Sequence, residues 1–426
     1  MSFSKAFGGA GRALATPLFR RYWTGHTLAT IGRWMKRTAV GWLAWELTES
    51  PAWLGIVTFA DLLPTVLLAV LAGAISDRFG FMRIIRLSQI AAAILSAVFA
   101  TLILTGAINI YAVTVLAFVF GAVESMGQPA RMSAVHALVA RRDLSSAIAL
   151  GSASFNASRI VGPGIAGFLI VWTNTGVVIG LCAFSFLSFY LILRTLDFGE
   201  PNAGGTRSPA ALLGDIRSGI VYAFTHTGLR FVFLLLAATS FFIRPVIELM
   251  PGISARVFAA GPTGLSLLLA AIGAGALTAS LWLARRGEMR GLTGLLIGST
   301  IVTGVALMLA MQFRNIWLAA AFLCVMGAAM LTGNVSAQTL VQNSVEAQMR
   351  ARVMSLFIVF AYGLPAIGAV LMGWIATWAG LQATIAGGAL FMFLFWAWGR
   401  PQKTAMSHAL EQEGPEERSA AAGLEK

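Results

Sequence analysis

The chain has 426 residues, 58% hydrophobic and only 11% charged, with a mean hydropathy of +0.80. Soluble domains carry about 25% charged residues, so this composition excludes a soluble globular domain and describes a polytopic membrane protein. The formal charge of +13 does not call for nucleic acid as a partner, because cytoplasmic loops of membrane proteins are themselves rich in Lys and Arg.

Residues 1–21 carry Lys5, Arg12, Arg20 and Arg21 around an interrupted apolar pattern, and read as a cytosolic lead-in rather than a cleaved signal. A spanning helix needs about 20 mostly apolar residues. Twelve such segments follow, at about 22–47, 52–75, 84–106, 108–130, 146–172, 176–194, 230–250, 263–284, 292–312, 316–337, 353–378 and 380–398. Turn signals separate them: Ser50-Pro51, Gly106, Thr173-Asn174-Thr175, Gly261-Pro262, Arg314-Asn315 and Gly380. The predicted organisation is a first six-helix half over 22–194, a cytosolic linker over 195–229, a second six-helix half over 230–398 and a tail over 399–426. Within the linker, Leu213, Ile216, Ile220 and Phe224 have amphipathic spacing, which predicts a helix lying on the membrane surface. The tail carries Glu411, Glu413, Glu416, Glu417 and Glu425 among few apolar residues and is expected to be disordered.

Basic residues fall on alternate sides of the predicted spans. One side has the N-terminus, Arg78/Arg83/Arg86, Arg131/Arg141/Arg142, Arg194/Arg207/Arg217/Arg230, Arg285/Arg286/Arg290, Arg350/Arg352 and the tail; the other has Arg256 and Arg314. This asymmetry places both termini in the cytoplasm and requires an even number of spans. Cys182 and Cys324 fall in apolar runs and read as small hydrophobes rather than a disulfide. The halves also echo each other. Pro163 recurs as Pro365 and Leu138-Val139 as Leu340-Val341, at an offset of 202; Gly121 and Gly127 recur as Gly327 and Gly333, at an offset of 206. A four-residue slip is about one helical turn, and the matches support an internal repeat whose halves both start in the cytoplasm.

The stretch Gly73-Ala-Ile-Ser-Asp77-Arg78-Phe-Gly80-Phe-Met-Arg83 resembles the loop between helices 2 and 3 of the major facilitator superfamily, whose pattern is G-x-x-x-D-R-x-G-R-[KR]. Gly73, Asp77, Arg78 and Gly80 match; Phe81 and Met82 replace two basic positions, and Arg83 comes one residue late. Phe19-Arg-Arg-Tyr-Trp23, Trp42-Leu-Ala-Trp-Glu-Leu-Thr48 with Ser50-Pro51, Gln128-Pro-Ala-Arg131 and Asn156-Ala-Ser-Arg159-Ile-Val-Gly-Pro163 resemble the branch containing bacterial drug and macrolide efflux proteins and the enterobactin exporter. The resemblance implies an all-α integral membrane fold of twelve transmembrane helices in two parallel six-helix halves, acting as a monomer in a bacterial cytoplasmic membrane. It also implies a cytoplasmic gate of Gly73, Asp77, Arg78, Gly80 and Arg83, with Arg131 a further partner and the start of span 11 near Ala351 as its counterpart. Gly162-Pro163-x-x-Ala166-Gly167 partly resembles the span 5 antiporter motif ending G-P-x-x-G-G. With Gly363, Pro365 and Gly368 in span 11 it reads as a hinge or, equally, as plain helix packing.

Ionisable residues inside the bilayer mark pathways or proton relays. Span 1 has Arg33, Lys36 and Arg37 on one face, span 2 has Asp61, span 4 has Glu124, span 5 has Arg159, and span 7 has Arg244 and Glu248 four apart, whereas the interiors of spans 8–12 have none. One reading is a charged cavity wall opposite an apolar one, suited to an amphipathic solute with a polar or anionic end, with Arg33, Lys36, Asp61, Glu124 and Arg159 as cavity residues. The other is structural pairing, of Arg33 or Lys36 with Asp61 and of Glu124 with Arg159. Lys36 and Arg37 have side chains long enough to snorkel. No G-x-x-x-x-G-K-[ST] phosphate loop, cofactor motif or metal-ligand spacing is present. A proton gradient is the expected energy source, through Asp61 first and Glu124 second. The sequence therefore predicts a non-enzymatic secondary transporter that exports an amphipathic small molecule by proton antiport, working with no cofactor and no nucleic acid. Uptake of an organic anion is the alternative within the fold, and a non-transporting assembly or sensor subunit the alternative outside it.

Overall fold

The computed structural model describes residues 11–196 and 218–411; within these, the side chains at 11, 69–71, 73, 74, 77, 347 and 351 are not described. Twelve long helices account for most of this chain: α1 Pro17–Thr48, α2 Pro51–Phe79, α3 Phe81–Leu104, α4 Ile110–Leu138, α5 Leu144–Trp172, α6 Thr175–Arg194, α7 Thr227–Phe242, α8 Gly261–Arg286, α9 Leu292–Gln312, α10 Ile316–Ser344, α11 Ala347–Ala379 and α12 Leu381–Gly399. A short helix, α13 Lys403–Leu410, follows, and there is no strand among the described residues. Eleven of the helical segments are long and apolar enough to cross a bilayer. The twelfth, α1, is long enough at 32 residues but is made less apolar by Arg33, Lys36 and Arg37, and it packs along α5 and α6. The chain is an all-α integral membrane protein of the expected class.

Helix ends obey local rules. Proline stands at the first position of α1 and α2, where the missing N–H costs no helical bond. Asn109 Oδ1 accepts from Ala112 N at 2.9 Å to cap α4, and Asn315 Oδ1 accepts from Trp317 N at 2.9 Å to cap α10. Gly80, at φ 86°, makes the single-residue joint between α2 and α3. At the far end of the first six helices, Arg86 donates to the carbonyls of Leu193 and Leu196 at 3.1 and 2.9 Å, placing a cation at the C-terminal end of α6.

Two compact units form: Met1–Arg207 with Met250–Gly273, and Ser208–Leu249 with Ala274–Lys426. The chain therefore passes from one to the other within α8, rather than only at the linker. In the first unit α3 packs on α4 and α6, and α1 on α5 and α6; in the second, α9 packs on α10 and α12, and α7 on α11 and α12. The glycine repeat has a physical cause in this matching set of neighbours. A Cβ on Gly127 of α4 would lie 2.6 Å from Ser88 Oγ of α3, and one on Gly333 of α10 would lie 2.3 Å from Ser299 Oγ of α9. Gly162 of α5 likewise admits Trp34 of α1, and Gly368 of α11 admits Phe241 and Pro245 at the end of α7.

The second unit has an apolar core of Phe231, Phe233, Leu235, Leu340 and Phe357 with their neighbours. One end of it is strapped by two short helices. Of the linker residues within the described chain, 218–225 form a helix. This helix docks on protein instead of lying on the membrane alone: Ala223 is fully buried, Phe224 packs on Phe233 and Phe360, and Arg352 Nη1 donates to Ser218 Oγ at 3.1 Å. Leu213 and Ile216 lie outside the described residues. α13 buries Met406 and Leu410, and Glu411 at its end accepts from Gly291 N at 2.6 Å and Thr293 N at 2.7 Å at the start of α9. The tail beyond residue 411, including the expected disordered stretch, lies outside the described residues.

Candidate functional site

The charged residues converge because α1 divides its surface between two tasks. Two of its glycines face α6: a Cβ on Gly25 would lie 2.6 Å from the Phe189 ring, and one on Gly32 would lie 1.9 Å from Ser185 Oγ. On another face, Tyr22, His26, Arg33, Lys36 and Arg37 fall within an arc of about 100° at 3.6 residues per turn. On α4, Phe120, Glu124 and Arg131 share a face by the same rule. α2 meets α4 so closely that a Cβ on Gly121 would lie 2.1 Å from the Asp61 carbonyl oxygen.

Two ionic groups result. Lys36 Nζ lies 3.1 Å from Asp61 Oδ1 and 3.8 Å from the centroid of the Phe120 ring. It is 5% exposed, so the snorkelling expected of its long stem does not occur: the carboxylate and the aromatic face hold it inside. Beside it, Arg33 Nε lies 2.8 Å and Arg131 Nη2 3.0 Å from the same oxygen, Oε2, of Glu124. Glu124 Oε1, Arg33 Nη2 and Arg131 Nη1 are buried with no hydrogen-bond partner. Tyr22 Oη donates to the Arg131 carbonyl at 3.3 Å, and His26 stacks on Tyr22 at 5.7 Å with Phe189 against its edge. Trp34 carries Arg37 and Arg159 at 5.6 and 5.5 Å from its ring, with Phe155 packed at 5.7 Å.

The structure thus brings Arg33, Lys36, Asp61 and Glu124 together and adds Arg131, Tyr22 and His26. Of the pairings weighed from sequence, Lys36 with Asp61 forms. Glu124 is held by Arg33 and Arg131 instead of Arg159, because Arg131 is two helical turns along the same face of α4. Arg131, at 8% exposed, is turned into the helix bundle rather than out toward the loop. Tyr22 and His26 were legible only as the continuation of the Arg33 face toward the helix start.

Of the gate residues, Gly80 forms the α2–α3 joint, Arg83 is exposed, and the exposed Arg78 stacks on Phe79 at 5.5 Å. Phe81 and Met82 are buried, which is why apolar residues stand where the superfamily has basic ones. Gly73 and the side chain of Asp77 lie outside the described residues, as does the side chain of Ala351.

The glycine-proline run of α5 lies at a crossing. Pro163 has no N–H, so the Arg159 carbonyl one turn back loses its helical donor. Ser266 Oγ of α8 donates to the Pro163 carbonyl at 2.8 Å, and a Cβ on Gly167 would lie 1.5 Å from that same Oγ. In α11, Pro365 is buried and Gly363 half-buried; one turn further back, Arg244 Nη1 donates to the Ala361 carbonyl, the one that the Pro365 ring leaves without its helical donor.

Twelve long helices among the described residues, in repeated packing and with ionised side chains paired inside one unit, define a polytopic membrane protein. The chain belongs to the major facilitator family described as transmembrane secretion effector, which it matches over residues 10–416. It is 25% identical over 368 residues to the Staphyloferrin A transporter of Staphylococcus aureus, covering 84% of this chain and 89% of that protein. It is 26% identical over 384 residues to the multidrug efflux pump Tap of Mycolicibacterium fortuitum, covering 86% and 91%. In fold it is similar to a bacterial homologue of the human lysosomal transporter Spinster in an inward-facing, occupied conformation, with a TM-score of 0.70 at 13% identity over 93% of this chain and 98% of that one. The nucleoside transporter NupG gives 0.67 at 15% identity, over 90% and 98%.

Proposed function

We propose that this chain carries an amphipathic small molecule with an anionic end across the bacterial cytoplasmic membrane by alternating access, as a monomer with both termini in the cytoplasm. The observation that carries the reading is the largely buried Arg33–Glu124–Arg131 group, with side-chain exposures of 24, 16 and 9%: two cations on one carboxylate oxygen leave one net positive charge beside the neutral Lys36–Asp61 pair. Buried charge without a counterpart is costly, and an anionic group on a substrate supplies the counterpart.

Export is the direction supported by the family's description and by the likeness to Tap. Uptake of an organic anion is the second reading, favoured by the cation excess. An anion entering against an inside-negative potential needs a cation with it, and a proton on Glu124 or Asp61 serves. The site residues for substrate are Arg33, Lys36, Arg131 and Arg159, with Glu124 and Asp61 as proton carriers.

The test uses everted and right-side-out vesicles containing the protein. The probes are 2-naphthalenesulfonate, which stays anionic at every working pH, and (2-naphthylmethyl)trimethylammonium, which stays cationic. The reading requires protein-dependent flux of the sulfonate and none of the ammonium. Accumulation in everted vesicles means export, and accumulation in right-side-out vesicles means uptake. Flux of the ammonium alone, or of neither probe, contradicts the substrate class.

A further inference from the structure

The linker helix over 218–225 and α13 dock on the same apolar core of the second unit, to which they contribute Ala223, Met406 and Leu410, with Phe224 packed against it. α13 has 8 residues, and isolated helices shorter than about 12–15 residues are marginal in water, so its helicity depends on what it docks against. The two helices meet at the start of α7. The linker helix runs into α7 through one residue, His226, whose N–H bonds the Tyr222 carbonyl at 3.2 Å and whose carbonyl accepts from Arg230 N at 2.9 Å. The imidazole stacks on Tyr222 at 6.5 Å, and its Nδ1 accepts from Leu229 N at 3.3 Å to cap α7. Leu410 of α13, fully buried, reaches the same place: a Cβ on Gly228 would lie 2.7 Å from Leu410 Cδ2 and 3.4 Å from His226 Cε1. The Leu410 carbonyl accepts from Ser344 Oγ of α10 at 3.3 Å. The next residue, Glu411, is fastened to the start of α9 by charge-assisted bonds of 2.6 and 2.7 Å from Gly291 N and Thr293 N.

We propose that α13 and the linker helix form one cooperative clasp with Glu411 as its catch, so that release of the C-terminal helix also frees the linker that joins the two units. When Glu411 leaves the α9 terminus, Leu410 withdraws from Gly228 and uncovers His226 and the first turn of α7. The His226 cap and its stack on Tyr222 then face water, and the linker helix loses the packed surface at its C-terminal end. At its other end the helix is held to α11, where Arg352 Nη1 donates to Ser218 Oγ at 3.1 Å and a Cβ on Gly219 would lie 3.0 Å from the Arg352 carbonyl oxygen. Coupling of this kind is reciprocal: loosening the linker helix loosens α13 by the same factor. The consequence is one of reach. Eight residues span about 12 Å as a helix and about 26 Å extended, so release adds about 14 Å to the connection between α6 and α7. The docking state of the C-terminal helix thereby sets the length of the covalent tether between the units.

The experiment is amide hydrogen exchange of the purified full-length protein in detergent, read on peptides covering 218–225 and 403–411, with α3 of the first unit as the reference. In Glu411→Gln, exchange should rise in both 403–411 and 218–225, each by about fivefold, the factor that corresponds to losing the anion from the α9 terminus, while α3 keeps its wild-type rate. Phe224→Ala leaves Glu411 in place and removes the packing of the linker helix on Phe233 and Phe360. It should raise exchange in 403–411 as well as in 218–225, and it decides the matter if Glu411→Gln does not fold. A linker at its wild-type rate in Glu411→Gln would mean that the two helices dock independently and would overturn the proposal. So would an α13 at its wild-type rate in either variant, or a rise equally large in α3.

Discussion

Replacing Glu124 by glutamine keeps the side-chain volume and removes one charge, so its effect isolates electrostatics. Glu124, Arg33 and Arg131 have side-chain exposures of 16, 24 and 9%; each is below a third, so solvent screening is limited. Breaking a buried ion pair by removing one partner costs about 3–5 kcal/mol. Partial exposure of Arg33 puts Glu124→Gln at the lower end, about 3 kcal/mol. An anion that binds beside the two guanidiniums should restore most of that loss. A ligand at 100 times its Kd stabilises the state that it binds by about 2.7 kcal/mol. The assay is thermal unfolding of purified protein in detergent, with and without 2-naphthalenesulfonate. The variant should melt well below wild type, and the sulfonate should raise its Tm more than it raises that of wild type. A variant as stable as wild type, or one indifferent to the anion, would refute the reasoning that two uncompensated guanidiniums are left behind.

Lys36→Met and Asp61→Asn should each destabilise the protein, whereas the double variant should recover part of the loss, with a coupling of about 1–3 kcal/mol in a double-mutant cycle. Additive losses would mean that the 3.1 Å pair carries no energy. Gly121→Ala should lower Tm, because its Cβ meets the Asp61 carbonyl at 2.1 Å; Gly164→Ala, on α5 with nothing within 4 Å, is the matched substitution expected to be neutral. Gly167→Leu should prevent α5 and α8 from closing on each other, since even a Cβ falls 1.5 Å from Ser266 Oγ, and should be read by loss of a monodisperse purified species; normal yield and Tm would contradict it. Glu411→Gln should weaken the cap on α9 by about 1 kcal/mol and speed limited proteolysis between residues 400 and 411.

Span positions were legible because the bilayer imposes a length and a composition that sequence displays directly. α1 was legible by its length and turn signals, even though Arg33, Lys36 and Arg37 dilute its apolar character. The repeat was legible as glycines at a fixed offset, and Gly127 with Gly333 shows why: each stands where a serine of the preceding span leaves no room for a Cβ. The membership of the ionic groups was less legible. Helical periodicity shows that Arg33 and Lys36 share a face, but which carboxylate each meets depends on how α2 and α4 cross, and that is a three-dimensional fact. Arg131 stands after an apolar run and two residues after a proline, so its position suggested the membrane surface; the side chain instead follows the face of α4 back to Glu124. The protein partner of the linker helix was not legible for a related reason. Amphipathic spacing shows that one face is apolar, not whether lipid or protein covers it, and here Ala223 and Phe224 meet the core of the second unit. The allegiance of residues 250–273 to the first unit has no signature in hydropathy, because its contacts are a serine hydroxyl on a proline carbonyl and Arg256 stacked 5.4 Å from Trp45.

The most direct test of the central claim is the initial rate of 2-naphthalenesulfonate movement across liposomes reconstituted with wild-type protein or with Arg131→Gln, at equal protein incorporation. The account predicts a rate clearly above that of empty liposomes for wild type and a fall of at least tenfold for the variant. A wild-type rate equal to that of empty liposomes, or an Arg131→Gln rate equal to wild type, would contradict the claim that this buried arginine group receives the anionic end of the transported molecule.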